Sequence, residues 1–189
     1  MPRQIFVFDP PERVIVGTVG QPGERTFFLQ ARGTGQLTSV VLEKAQVAAL
    51  AQRLDELLDE LVRASGGTAP VPAVAPADLD DSGPLEQPII EEFRVGALGL
   101  GWDPETERVV IEAQGVTDAG DDEAALLEDD TADGPPLLRL RLPGAVARAF
   151  VKRALAAVAA GRPPCPLCGQ PMSPDGAHVC ARSNGHHPH

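Results

Sequence analysis

Residues 36 to 65, QLTSVVLEKAQVAALAQRLDELLDELVRAS, contain the transition that decides the fold. The first seven residues form a β-rich run that is typical of a strand. From Val47 to Val62 the apolar residues recur at the spacing of one helical face, and Gly66 and Gly67 follow as a stop signal. The stretch therefore predicts a strand that leads into an amphipathic helix.

Shorter strand-like runs come before this stretch. IFVF, RVIVGTV and RTFFLQAR are separated by DPPE and GQPGE, and GTG precedes the QLTSVVL run. Pro and Gly in such separators provide turn chemistry. The pattern predicts an antiparallel sheet between Gln4 and Leu42.

The same order of events recurs later in the chain. EFRVGALGLGWDPETERVVIEAQG predicts a hairpin around Asp103 and Pro104, LLRLRL alternates with period two, and PGAVARAFVKRALAAVAAG predicts a second helix. FDPPERVIV resembles WDPETERVVIE, and VVLEKAQVAALAQRL resembles LRLPGAVARAFVKRAL. The predicted fold class is therefore α+β, a duplicated antiparallel-strands-then-helix unit with a small C-terminal zinc-binding tail.

Composition divides the chain into four parts. Residues 1–64 are predicted as the first strands-plus-helix half, and residues 65–90 as a flexible Pro/Ala/Asp linker. Residues 91–160 form the second strands-plus-helix half, and its segment 117–134 carries eight carboxylates and no basic residue, as a solvated acidic loop does. Residues 161–189 are predicted as the zinc-binding tail.

Charge is distributed unevenly along the chain, whose net charge is −11. Residues 1–138 contain 26 acidic and 9 basic side chains, whereas residues 139–189 contain 1 acidic and 7 basic side chains. An acidic body repels phosphate, which argues against the body as a general nucleic-acid binder. The cationic last part stays eligible for that role.

All three cysteines lie in CPLCGQPMSPDGAHVC, residues 165 to 180. Cys165 and Cys168 form a C-x-x-C pair, and His178 and Cys180 form an H-x-C pair ten residues on. Two residues that are two positions apart on an extended segment point to the same face, and the Pro, Asp and Gly between the pairs favour a turn. The motif predicts one structural Zn²⁺ per chain, and its closed Cys₃His set leaves no open position for catalysis.

Three other readings of the cysteines stay open: a redox dithiol, a disulfide with one thiol left over, and incidental cysteines in a disordered tail. The first lacks the preceding βαβ pattern, and the second does not suit a reducing compartment. The terminal His186, His187 and His189 are an alternative ligand source or a solvated tail.

The sequence gives little support for catalysis, and we lean against an enzyme. Residues 1–160 contain no histidine and no cysteine, so a Ser-His-Asp or Cys-His arrangement would need the tail. The glycine-rich stretches RGTGQ and GALGLG lie in strand-like sequence and lack the strand-loop-helix setting of a nucleotide site. An enzyme of unrecognised type remains an alternative.

The opening MPRQIFVFDPPERVIVGTVGQPGERTFFLQARG, the first helix, FRVGALGLGWD and the cysteine-containing end together resemble an actinobacterial family of uncharacterised proteins. The resemblance implies lineage and a cytoplasmic setting, and it transfers no activity and no catalytic residue. The absence of a long apolar run also predicts a cytoplasmic protein without a membrane segment.

Two hypotheses about function follow. In the first, the chain is a non-catalytic protein-interaction or adaptor module with an unknown protein partner, and a homodimer is a further expectation. In the second, it binds nucleic acid, although aromatic residues amount to only 4% and stacking platforms need them. The cations of the second hypothesis are Arg139, Arg141, Arg148, Lys152, Arg153, Arg162 and Arg182.

Overall fold

The computed structural model describes residues 3–116 and 134–161, together with residues 165, 167, 168, 172 and 180. Seven strands and two α-helices lie in this part of the chain, with a short 3-10 helix at Ala77–Leu79. The strands are β1 (Ile5–Phe8), β2 (Arg13–Val19), β3 (Thr26–Gly33), β4 (Gln36–Leu42), β5 (Glu91–Asp103), β6 (Arg108–Gly115) and β7 (Leu137–Leu142). The helices are α1 (Lys44–Ala64) and α2 (Gly144–Ala159).

The strands form one mixed sheet in the order β1-β7-β6-β5-β4-β3-β2. Two antiparallel meanders, β2-β3-β4 and β5-β6-β7, lie side by side and meet where β4 runs parallel to β5. Each meander leads into a helix, since β4 ends at Leu42 just before α1 and β7 ends at Leu142 just before α2. The strand-to-helix transition and the hairpin around Asp103 and Pro104 are thus confirmed.

The first strand departs from expectation. We predicted that residues 4–42 form one antiparallel sheet, but β1 pairs in parallel with β7, and Phe8 lies opposite Leu140. The prediction was wrong for β1 because a short apolar run indicates a strand without specifying its neighbour. The N-terminal strand therefore belongs, in space, with the second meander.

The sheet is strongly curled, because its two edge strands are close together in the chain. A flat sheet of seven strands would separate its edges by about 29 Å at the usual strand spacing. The connection between β1 and β2 contains only the four residues from Asp9 to Glu12, and it spans at most about 18 Å. The edges consequently approach each other, and a Cβ atom added at Gly33 on β3 would lie 3.2 Å from Cδ1 of Phe8 on β1.

The main core lies between both helices and one face of the sheet. Leu54 and Leu58 of α1, Phe150 of α2, and Ile111 and Leu140 of the sheet are almost completely buried. Each fully buried side chain of this size contributes about 1.5–3 kcal/mol relative to exposure. The buried face of α1 is the face that the apolar spacing predicted. With this face the helix packs against α2 and beside β5.

The later part of the segment between α1 and β5 lies against the opposite face of the first meander. Leu85 packs there with Ile15, Phe28 and Val41. Arg13 on β2 donates to both carboxylate oxygens of Asp81, at 2.6 and 2.9 Å. These contacts attach the segment to the sheet. The domain boundaries drawn above, and the flexibility predicted for residues 65–90, stay predictions.

Several expectations fall outside the described residues. The acidic segment 117–134 does so except for Gly134, and so does most of the tail from residue 161 onward. The order strands-then-helix occurs twice, but an origin by duplication stays a prediction. In the part of the chain that the structure covers, neither helix has the length and apolar character needed to cross a bilayer.

Candidate metal centre

Three cysteine side chains from the end of the chain meet at one point. The Sγ atoms of Cys165, Cys168 and Cys180 all lie within 4.8 Å of one another. The Sγ atoms of Cys165 and Cys180 are 3.9 Å apart, and both side chains are buried, while Cys168 is half-buried. Within the described residues, no other set of three His, Cys, Asp or Glu side chains is close enough to hold one ion.

The separation of the sulfur atoms suits a shared metal ion better than a disulfide. A disulfide requires about 2.05 Å between the two sulfurs, and all three cysteines are free thiols. In a tetrahedral site with a Zn–S distance of about 2.3 Å, two sulfur ligands lie about 3.8 Å apart. The 3.9 Å between Cys165 and Cys180 is close to that value.

The local backbone favours the thiolate form of Cys165. The backbone amides of Cys168 and Leu167 donate hydrogen bonds to its sulfur and lower its pKa below the ordinary 9.0, in opposition to burial, which raises the pKa. The neighbouring thiols of Cys168 and Cys180 lower it further. Because a thiolate, and not a thiol, binds metal, this turn prepares the site for a cation.

The predicted ligand set is thus only partly visible. The structure brings together Cys165, Cys168 and Cys180, whereas His178 lies outside the described residues, as do His186, His187 and His189. Three sulfur ligands are not a complete site, and sulfur alone is compatible with zinc, copper(I) or an iron–sulfur cluster. The cluster is suited to a metal ion whose identity the sulfur atoms do not fix.

The cations that would serve nucleic-acid binding are mostly engaged within the body. Arg139 pairs with Glu112 at 2.7 Å, and Arg141 pairs with Asp103 at 3.0 Å. The other described ones are Arg148, which pairs with Asp55 and Asp59, Lys152, which pairs with Asp80, and Arg153, which donates to the carbonyls of Val16, Asp81 and Gly83. Arg162 and Arg182 lie outside the described residues. Paired cations have less charge to offer a phosphate backbone.

A second feature, which sequence reasoning missed, is a groove between α1 and the end of β5. Its volume is about 480 Å³, and Leu98 and Leu100 of β5 line one side. The only sequence signal was the period-two spacing of these leucines in GALGLGW, which predicts a strand without predicting a free edge.

The fold and the site together define the class of protein. It has a mixed seven-stranded sheet with two helices on one face, followed by a cysteine cluster suited to a metal. Residues 6–180 match the family described as "Protein of unknown function (DUF3090)", and the chain belongs to that family. Neither the curated proteins nor the solved structures contain a match to this chain. An actinobacterial origin stays a prediction.

Proposed function

We propose that the end of the chain holds one structural Zn²⁺, bound by Cys165, Cys168, His178 and Cys180. The observation that carries this proposal is the convergence of the three sulfur atoms within 4.8 Å. His178 is the natural fourth ligand, since it stands two residues before Cys180 and zinc readily takes mixed sulfur and imidazole sets. With four protein ligands the ion has no open position, so its role is to stabilise the fold of the tail.

The role that we propose for the whole chain is that of a non-catalytic protein-interaction or adaptor module with a protein partner. A closed metal site and a body without histidine or cysteine support a role other than catalysis. The internal pairing of Arg139, Arg141 and Arg148 counts against the alternative of a nucleic-acid interface. Three free cysteines support a reducing, cytoplasmic setting.

A duplicated origin of the two halves is part of the same proposal. Gln30 lies opposite Ser39 in the β3–β4 pair, and Glu112 lies opposite Arg139 in the β6–β7 pair. Each pair lies three residues from the last pair of its ladder, which is Phe27 opposite Leu42 in the first and Val109 opposite Leu142 in the second. Matching registers of this kind support two copies of one strands-then-helix unit.

The proposal is tested by metal analysis and partner capture on the same samples. The intact chain and the Cys165→Ser/Cys168→Ser variant are purified without added metal, and zinc is measured by mass spectrometry. Both are then used as bait in native lysate, and bound protein and nucleic acid are identified. One zinc per intact chain and a specific protein partner support the proposal. Full zinc in the double variant contradicts the metal site, and salt-sensitive nucleic acid as the only captured component contradicts the adaptor role.

A further inference from the structure

Strand β5 extends well beyond the strand beside it. The pairing of β4 with β5 ends at Val41 and Arg94, whereas β5 continues to Asp103. Among the described residues, Ala97–Asp103 pairs with β6 alone. Alternate residues of a strand direct their N–H and C=O groups to opposite sides. Over this span β5 therefore presents a row of backbone groups that lack a strand partner in the described part of the chain.

The beginning of α1 marks the point where the free edge starts. The side-chain amide of Gln46 donates to the carbonyl of Val95 at 3.1 Å and to that of Gly96 at 3.5 Å, on the side that β4 has just left. A side chain of α1 thus satisfies the first edge carbonyls. Beyond Gly96 no side chain among the described residues takes over this role, and the groove opens there.

The groove has an apolar interior and charged side chains along the helix. Leu50 and Leu57 of α1 and Leu98 and Leu100 of β5 supply apolar surface, and Leu57, Leu98 and Leu100 are partly exposed. The remaining lining residues all lie on α1: Ala49, Arg53, Glu56 and Glu60. The two glutamates are exposed and outnumber the one arginine, and they belong to a part of the chain with a large excess of acid.

These features identify the chemistry of the occupant. A free strand edge accepts an extended chain by main-chain hydrogen bonds, and side chains that alternate along that chain meet the groove on one face. On that one face, apolar side chains match the leucines, and basic side chains match Glu56 and Glu60. A second copy of this chain is a poorer match, because it would bring the same two glutamates opposite themselves.

We propose that the groove between α1 and Ala97–Asp103 takes an extended basic-apolar peptide segment of a partner protein as an added strand beside β5. The proposal rests on the proposed role as an interaction module and names the chemistry of the partner. The seven residues of Ala97–Asp103 would pair with a segment about 23 Å long. An interface of this size is small, so the complex is transient.

The test uses the full chain and a fluorescein-labelled basic peptide, VTKTVTKT, whose valines and lysines share one face of the strand, with the acidic VTETVTET and the proline-interrupted VTKPVTKT as matched probes. Fluorescence anisotropy gives affinity, and hydrogen exchange of the protein with and without peptide locates the contact. We expect the basic peptide to bind at least about tenfold more tightly than either other peptide. Binding should slow exchange of those amides in Ala97–Asp103 that point away from β6, because a new strand would accept their hydrogen bonds.

Two variants distinguish binding in the groove from a general attraction of the basic peptide to an acidic protein. Glu56→Lys/Glu60→Lys reverses exposed charges at the groove, and Glu91→Lys/Glu92→Lys reverses two exposed charges at the start of the same strand. We expect the first variant to weaken binding of the basic peptide at least about tenfold and the second to change that affinity by less than about threefold. Zinc content, measured on the same samples, reports on the metal site separately.

Three results would overturn the proposal. The first is no binding of the basic peptide up to about 1 mM. The second is peptide binding whose affinity does not change in the Glu56→Lys/Glu60→Lys variant, or peptide binding that does not slow amide exchange in Ala97–Asp103. The third is protection of those amides from exchange in the absence of peptide, if that protection becomes stronger as the protein concentration rises. A second copy of the chain would then be the occupant. Any of these results, obtained on protein that still binds one zinc, would refute peptide binding in the groove and leave the proposed metal site unaffected.

Discussion

The carboxylate of Glu112 on β6 accepts a 2.7 Å hydrogen bond from Nε of Arg139 on β7, and both side chains are buried. The two residues are direct partners across the strands, on the sheet face that points away from the helices. The equivalent partners in the first meander are Gln30 and Ser39, joined by a neutral hydrogen bond of 3.0 Å. One meander thus has an ion pair where the other has an uncharged pair.

This relationship predicts the outcome of a mutant cycle. Arg139→Ser should lower the free energy of unfolding by about 3–5 kcal/mol, because it leaves a charged carboxylate in a buried position. Glu112→Gln combined with Arg139→Ser installs the residue types of the first meander and should be at least about 1 kcal/mol more stable than Arg139→Ser alone. Urea unfolding measures both. A double variant less stable than Arg139→Ser would contradict the explanation.

Loss of two sulfur ligands should abolish metal binding. We expect Cys165→Ser/Cys168→Ser to reduce zinc from about one per chain to near zero, because two remaining ligands do not hold the ion against a chelator. Elemental mass spectrometry after dialysis against a mild chelator measures the content. Met172→Leu, in the same tail but with no ligand role, should keep its zinc. His178→Ala should weaken zinc binding, and an unchanged affinity would remove His178 from the ligand set.

The tie between Asp81 and Arg13 should depend on pH. The hydrogen bond from Arg13 is the largest of the causes that lower the pKa of Asp81 below its ordinary 3.8, against desolvation, which raises it. A group whose pKa is lower in the folded state stabilises the fold above its unfolded pKa and loses that effect as pH falls through its folded pKa. Asp81→Asn should therefore cost up to about 1 kcal/mol near pH 7, since the pair is partly exposed.

That cost should shrink as the pH falls below 3.8, the ordinary value for Asp81. Unfolding curves of the native chain and of Asp81→Asn, recorded between about pH 2.5 and 7, measure the difference. Asp78→Asn, an exposed aspartate on the same segment, should change stability by less than about 0.5 kcal/mol at any pH. A constant effect of Asp81→Asn across the range would show that the charge of Asp81 is not what holds the segment.

The first residue of α2 should reject a substitution that normally stabilises helices. Glycine to alanine in a helix gains up to about 1 kcal/mol in an exposed position. At Gly144, however, an added Cβ atom would lie 2.6 Å from the backbone oxygen of Pro70 and 2.8 Å from Cγ2 of Val71. Gly144→Ala should therefore destabilise the protein by about 1–3 kcal/mol, as overpacking does.

Thermal unfolding monitored by circular dichroism measures this effect. Ala145→Gly provides the comparison in the next helix position, and we expect it to cost about 1 kcal/mol through helix propensity alone. A higher melting temperature for Gly144→Ala would mean that the segment at Pro70 moves away without cost.

The elements that the sequence predicted best are those in which local pattern and tertiary burial agree. The apolar spacing from Val47 to Val62 predicted α1, and burial of Leu54 and Leu58 on that face explains why. In LLRLRL, the leucines at 138, 140 and 142 belong to the main core, while Arg139 lies on the other face with Glu112 as its partner. Alternation predicted the strand, but it could not predict a buried arginine, which requires knowing its partner.

Pairing between strands that are distant in the chain could not be predicted from the sequence. Nothing in IFVF specifies that Phe8 lies opposite Leu140 and not beside β2. The free end of β5 was equally hidden, because it depends on where β4 stops relative to β5. For the candidate metal centre, residue type and spacing predicted that Cys165, Cys168 and Cys180 converge, since zinc ligands recur at short, regular intervals.

The short connection between β1 and β2 has a consequence for biosynthesis. β1 leaves the ribosome long before its partner β7, which begins only at Leu137. At ordinary translation rates of about 5–20 residues per second, β1 must wait several seconds or more for that strand. During this interval Phe6 and Phe8, which are buried in the finished protein, remain without the strand that completes their environment. Until β7 has been synthesised, the nascent chain therefore exposes the apolar side chains that β1 buries in the folded protein.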